Sequence, residues 1–105
     1  MKYILLERTE RWKRGKKCFF EKWVEPKSNS GIAFCSCVKQ DGSKLYVVED
    51  YGIGTVDPET FTKMQGTVPI QRDEYTSLKE AKEGLEYMKE ESLDEIKCDP
   101  DYGPN

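Results

Sequence analysis

The 105-residue sequence contains no histidine. That removes the side chain that most often serves as a general base near neutral pH and the commonest metal ligand. Catalysis by serine–histidine or cysteine–histidine pairs is therefore excluded. A long hydrophobic run is missing as well. The stretch Tyr3–Leu6 is followed at once by Glu7 and Arg8, far short of the apolar core of a secretion signal. No segment approaches the roughly 20 apolar residues that span a bilayer. The expectation is a cytoplasmic protein without a membrane partner, whose Cys18, Cys35, Cys37 and Cys98 remain thiols in a reducing setting. Glycine-rich phosphate loops are absent too. Gly52-Ile53-Gly54 lacks the third glycine and the strand–turn–helix setting of a dinucleotide site, so it reads as a strand exit.

What the sequence does contain is charge. Charged residues make up 35% of the chain, against about 25% in an average domain, and the net charge is only −3. That balance is too small to make the whole protein a polyanion binder. The two signs are unevenly spread. Residues 1–56 carry 11 basic and 7 acidic side chains, while residues 57–105 carry 6 and 13. Folding can interleave such halves, or leave them as separate interaction surfaces.

The N-terminal part reads as strands. Residues 3–7 and 18–24 are rich in β-branched, aromatic and aliphatic side chains, and a hairpin with a long basic loop over residues 8–17 joins them. Residues 25–31 collect proline, serine, asparagine and glycine, which suit an exposed loop. Residues 32–38 and 44–51 flank Asp41-Gly42, whose glycine supplies the positive φ of a tight hairpin. Ile32, Phe34, Ser36 and Val38 share one strand face, and Ala33, Cys35 and Cys37 share the other. Leu45 to Val48 are apolar on both faces, as expected of a strand covered on both sides. Between Gly52 and Gln71, glycines and prolines break the pattern. Asp57-Pro58-Glu59 can open a short helix, and residues 67–70 can form a short edge strand that Pro69 weakens.

Ser77 and Glu80 form a capping box that starts a helix. Leu78, Ala81, Leu85 and Met88 then make an apolar stripe opposite Lys79, Glu83, Glu86 and Glu90. Burial of its large members, each worth about 1.5–3 kcal/mol, outweighs the ~1 kcal/mol helix penalty of Gly84. The helix is expected to reach about Ile96. The fold class is α+β, an antiparallel sheet of about four to five strands packed by one C-terminal helix, with a single domain over residues 1–97 and a mobile tail over 98–105.

Three chemistries need weighing. Cys35-Ser36-Cys37 places two sulfurs on one strand face with Cys18 nearby, but a zinc site needs Cys98 to return from the tail. Small buried hydrophobes are the simpler reading, and no cofactor or metal is expected. Carboxylate catalysis needs a three-dimensional pairing that spacing does not supply, so the chain is read as non-enzymatic. The basic segment combines Arg8, Arg11, Lys13, Arg14, Lys16 and Lys17 with Trp12 in its middle. Cations neutralise phosphates while an aromatic stacks on a base, so this segment is the candidate nucleic-acid surface. Its plainer alternative is a solvated loop with Trp12 folded back on the sheet. The second surface is acidic, with nine acids and four bases from Lys79 to Asp101. Glu83, Glu86, Glu90, Glu91 and Asp94 are its candidate partner-binding residues, suited to a basic groove that normally receives nucleic acid.

The segment Tyr75-Thr76-Ser77-Leu78-Lys79-Glu80-Ala81-Lys82-Glu83-Gly84-Leu85-Glu86 resembles the helix start that follows strands in small bacteriophage and mobile-element accessory proteins. The resemblance implies an accessory protein in a host cytoplasm that inhibits a host protein, such as a defence protein, by direct contact. The alternative is a small nucleic-acid-binding protein that uses residues 8–17.

Overall fold

The computed structural model describes the backbone of residues 3–102 and the side chains of residues 3–90. Five strands precede one helix: β1 (Ile4–Lys13), β2 (Lys16–Glu25), β3 (Ser30–Val38), β4 (Lys44–Gly52), β5 (Gln71–Tyr75) and α1 (Leu78–Tyr102). The strands form one antiparallel meander in the order β1-β2-β3-β4-β5. With α1 packed on one face, the fold is α+β.

Alternation builds two cores on opposite faces of the sheet. Ile32, Phe34, Tyr46 and Val48 meet Ala81, Leu85 and Met88 of the helix, with Tyr3 completing the cluster. Val24, Ala33 and Tyr51 lie on the other face, under Val56 and Phe61 from the β4–β5 connection. Val47 is also buried, so β4 is covered on both sides as its apolar run implies. Lys39 and Ser43 close the β3–β4 turn, with the Ser43 carbonyl accepting from the Lys39 N–H at 2.8 Å and Gly42 at φ +87°. At the helix start the Ser77 hydroxyl accepts from the Glu80 N–H at 3.4 Å.

The structure corrects several expectations. The basic segment 8–17 is not a long loop. β1 and β2 run to Lys13 and Lys16 and are joined by Arg14 and Gly15 alone, both left-handed at φ 52° and 75°, as a two-residue hairpin turn requires. Trp12 is not folded back either, being 71% exposed. Asp57-Pro58-Glu59 forms a turn instead of a helix. The Asp57 carboxylate accepts from the Glu59 N–H at 2.9 Å, and the chain reverses to bring Lys63 opposite Val56, so no second helical turn can follow. The edge strand begins only after Pro69, at Gln71, because proline cannot donate to the ladder. Leu78 is 39% exposed, since it is the first helical residue and lies past the packed part of the stripe.

The helix continues beyond Ile96 to Tyr102, so the first residues of the expected 98–105 tail are helical, although Pro100 leaves the Ile96 carbonyl without its usual donor. Residues 103–105 lie outside the described residues. Among the described residues, no helix is long and apolar enough to cross a membrane.

Candidate binding groove on the β1–β2 ribbon

The connection that buries Val24 and Ala33 does not reach the far half of that sheet face. There the sheet leaves an open groove of about 450 Å³. The hairpin register determines what lines it. Glu7 pairs with Lys22, Thr9 with Phe20 and Arg11 with Cys18, and Phe20 pairs in turn with Cys35. Side chains directly opposite each other share a face, so β1 contributes Glu7, Thr9, Arg11 and Lys13. β2 contributes Cys18, Phe20 and Lys22, and β3 contributes Cys35 and Cys37.

The electrostatics of this face are uneven. Lys22 is paired with Glu7 at 3.2 Å, whereas Arg11, Lys13 and Lys16 form no ion pair among the described residues. Phe20, opposite Thr9 and next along the ribbon from the Arg11–Cys18 pair, is 37% exposed. Unneutralised cations beside an accessible ring can hold a phosphate chain whose bases stack.

The other sequence-derived candidates divide between the two faces of the ribbon. Arg8 is committed to the buried Glu21 carboxylate and to Glu10, and its guanidinium lies 4.7 Å over the Phe19 ring. Lys17 is paired with Glu10 at 2.9 Å, and these two cations hold the Glu10 carboxyl below the ordinary carboxylate range, the Lys17 hydrogen bond most of all. Arg14 donates to the Lys39 carbonyl at 2.9 Å, tying the ribbon tip to the next turn. Arg8 and Lys17 are thus structural, Arg11, Lys13 and Lys16 are available, and Trp12 stands exposed at the tip on the helix-side face.

The Cys35 thiol is not activated. Burial, and then the nearby Cys37 and Glu49, push the Cys35 thiol up to about 11, the reverse of what a nucleophilic or metal-binding thiolate needs. Cys18 is buried. The side chain of Cys98 lies outside the described residues, and no group of three or more potential ligands is placed to hold a metal among them. The buried carboxylates hold the fold. Glu21 accepts from the Trp23 indole at 2.9 Å, Glu25 from the Ser28 N–H and hydroxyl at 3.0 Å, and Asp50 from the Gly52 N–H at 2.9 Å.

On α1, Glu83, Glu86 and Glu90 are exposed. Glu86 pairs with Lys89 at 2.8 Å, whose ammonium sits 3.6 Å over the Trp23 ring. Tyr87, 65% exposed, stands among these glutamates. The side chains of Glu91 and Asp94 lie outside the described residues. Sequence reasoning missed Glu7, Thr9, Phe20 and Lys22 as groove residues. The signal that finds them is Arg14-Gly15, because a two-residue turn sets the pairing of every residue in the ribbon. Comparison with protein-family models, curated proteins and solved structures finds no match to this chain.

Proposed function

We propose that this chain is a non-enzymatic binding protein that takes single-stranded nucleic acid along the β1–β2 ribbon. The observation that carries the reading is the open sheet face on which Phe20 is flanked on its turn side by Arg11, Lys13 and Lys16, which have no carboxylate partner among the described residues. Phosphates would be neutralised by the three cations while a base stacks on the ring, a contact worth about 1–3 kcal/mol. Trp12, on the helix-side face of the ribbon, is not part of this groove.

Titration of a fluorescently labelled oligothymidylate or oligouridylate tests this. Three released counterions give a slope of about −2 in log affinity against log salt for a single strand. Lys13→Glu with Lys16→Glu should flatten that slope, and Phe20→Ala should weaken binding with the slope retained. Wild-type affinity that is absent, or that neither variant changes, would remove the groove from consideration.

A second reading is favoured by Tyr87 standing exposed among Glu83, Glu86 and Glu90. An aromatic anchor within an acidic rim suits a protein partner with a basic surface, such as a host protein whose groove receives nucleic acid. In that reading the chain is an inhibitory accessory protein of phage or mobile-element type acting in the host cytoplasm. Its signature is loss of a protein partner in Tyr87→Ala and in the triple Glu83→Lys, Glu86→Lys, Glu90→Lys variant. The described part of α1 carries four acids and three bases, so its local field is weaker than that of the ribbon.

A further inference from the structure

We propose that two copies of this chain join edge to edge along β1, in antiparallel register about a two-fold axis at Thr9, to make one continuous ten-stranded sheet. The inference does not rest on the nucleic-acid reading. It starts from the two edges of the meander. β5 has five residues, follows Pro69, and carries an Arg72–Glu74 pair, the short and charged form in which edges are usually closed to further pairing. β1 is ten residues long, contains no proline and is exposed over nearly its whole length. The helix packs mainly over β4 and β5, toward the opposite side of the sheet, and none of the described residues covers the outer edge of β1.

Hairpin geometry decides which residues offer main-chain groups there. In a two-residue turn the flanking Lys13 and Lys16 form a hydrogen-bonded pair, and such pairs alternate along an antiparallel ladder. Glu7, Thr9, Arg11 and Lys13 therefore direct their main-chain groups at β2. Arg8, Glu10 and Trp12 direct theirs outward, and an added strand must pair with these.

The order of charges then selects one partner and one register. Residues 7–11 read Glu-Arg-Thr-Glu-Arg, a sequence whose signs invert about its centre. With the axis at Thr9, Arg8 lies opposite the partner's Glu10 in a hydrogen-bonded pair, and Glu7 lies opposite the partner's Arg11. By symmetry each contact occurs twice, giving four cross-strand pairs of opposite sign. An axis at Arg8 or Glu10 sets that residue against its own copy, and so does an axis at Glu7 or Arg11. An axis between residues matches outward main-chain groups to inward ones. Only the Thr9 register satisfies both the ladder and the charges. It also gives Arg11 a carboxylate partner, leaves Lys13 and Lys16 as the cations of each groove without one, and sets the two grooves side by side on one face.

The test is sedimentation of the full chain, with far-UV circular dichroism as the folding control. The wild-type protein should be a dimer that loosens as salt rises. Arg11→Glu and Glu7→Arg each turn two attractive contacts into repulsive ones, and each should raise the dimer dissociation constant about 30-fold. An equimolar mixture of the two variants should recover wild-type affinity as a heterodimer, because every cross-strand pair is again opposite in sign. Wild-type protein that stays monomeric at every concentration overturns the proposal. So does a dimer indifferent to both substitutions, or a mixture that fails to recover.

Discussion

Gly84 provides a sharp test of how α1 sits on the sheet. Glycine inside a helix costs about 1 kcal/mol relative to alanine, so Gly84→Ala in an isolated helix would stabilise it. In the fold, a Cβ at this position would come within 3.0 Å of Oη, Cζ and Cε2 of Tyr75. Tyr75 ends β5 and packs half-buried against the helix-side core, so displacing its ring disturbs that packing. Overpacking of this kind costs about 1–3 kcal/mol. Set against the gain in helix propensity, the net loss is about 1 kcal/mol, or a fall of roughly 4–8 °C in Tm. Tyr75→Leu removes Oη and Cζ while keeping apolar bulk. In that background Gly84→Ala should raise stability by about 1 kcal/mol, a coupling of about 2 kcal/mol between the two sites. Urea unfolding of the four proteins in this cycle measures it. A Gly84→Ala variant more stable than wild type, or a coupling near zero, would refute the close approach of α1 to β5.

The packed register of the helix is tested by Leu85→Asp, which should abolish cooperative unfolding because it buries an unpaired charge, whereas Leu78→Asp should change Tm little. Arg8→Ala should cost about 1–3 kcal/mol in urea melts, since Glu21, only 7% exposed, would keep the Trp23 indole but lose its cation. Arg8→Ala with Glu21→Gln should recover part of that loss. For Cys35, burial favours the protonated thiol, so its contribution to stability is complete below the ordinary thiol value of 9.0 and fades as pH rises toward about 11. Cys35→Ala should therefore show a shallower loss of stability over that range than wild type, and alkylation of Cys35 by iodoacetamide should be slow at pH 8.

The parts of the fold legible in the sequence are those where burial imposes a period. Ile32 and Phe34 against Ala33 and Cys35 declare two faces, Asp41-Gly42 declares a turn, and the Ser77 cap with Ala81, Leu85 and Met88 declares a helix and its packed side. β1 was legible only at its apolar start. Beyond Leu6 it is an edge strand without a covering layer, so Arg8 to Lys13 need no hydrophobic alternation and resemble a charged loop. β5 hides for the same reason, with Gln71 to Glu74 polar at the opposite edge while the apolar Val68 and Ile70 before it remain exposed. The candidate site was half legible. The cations and Trp12 stand out by composition, but Phe20 and Lys22 join them only through the register. The commitment of Arg8 and Lys17 to Glu21 and Glu10 is a matter of three-dimensional pairing.

The groove face of the ribbon is the surface proposed to bind a nucleic-acid strand. Two-dimensional ¹H–¹⁵N NMR of the full chain, titrated with an unlabelled oligothymidylate, tests it residue by residue. Binding in the groove should give saturable shifts confined to Thr9, Arg11, Lys13, Lys16, Cys18, Phe20 and Lys22, and to Cys35 and Cys37 across the groove floor, with Glu83 to Glu90 unmoved. A spectrum unchanged by the strand, or shifts centred on α1, would contradict it.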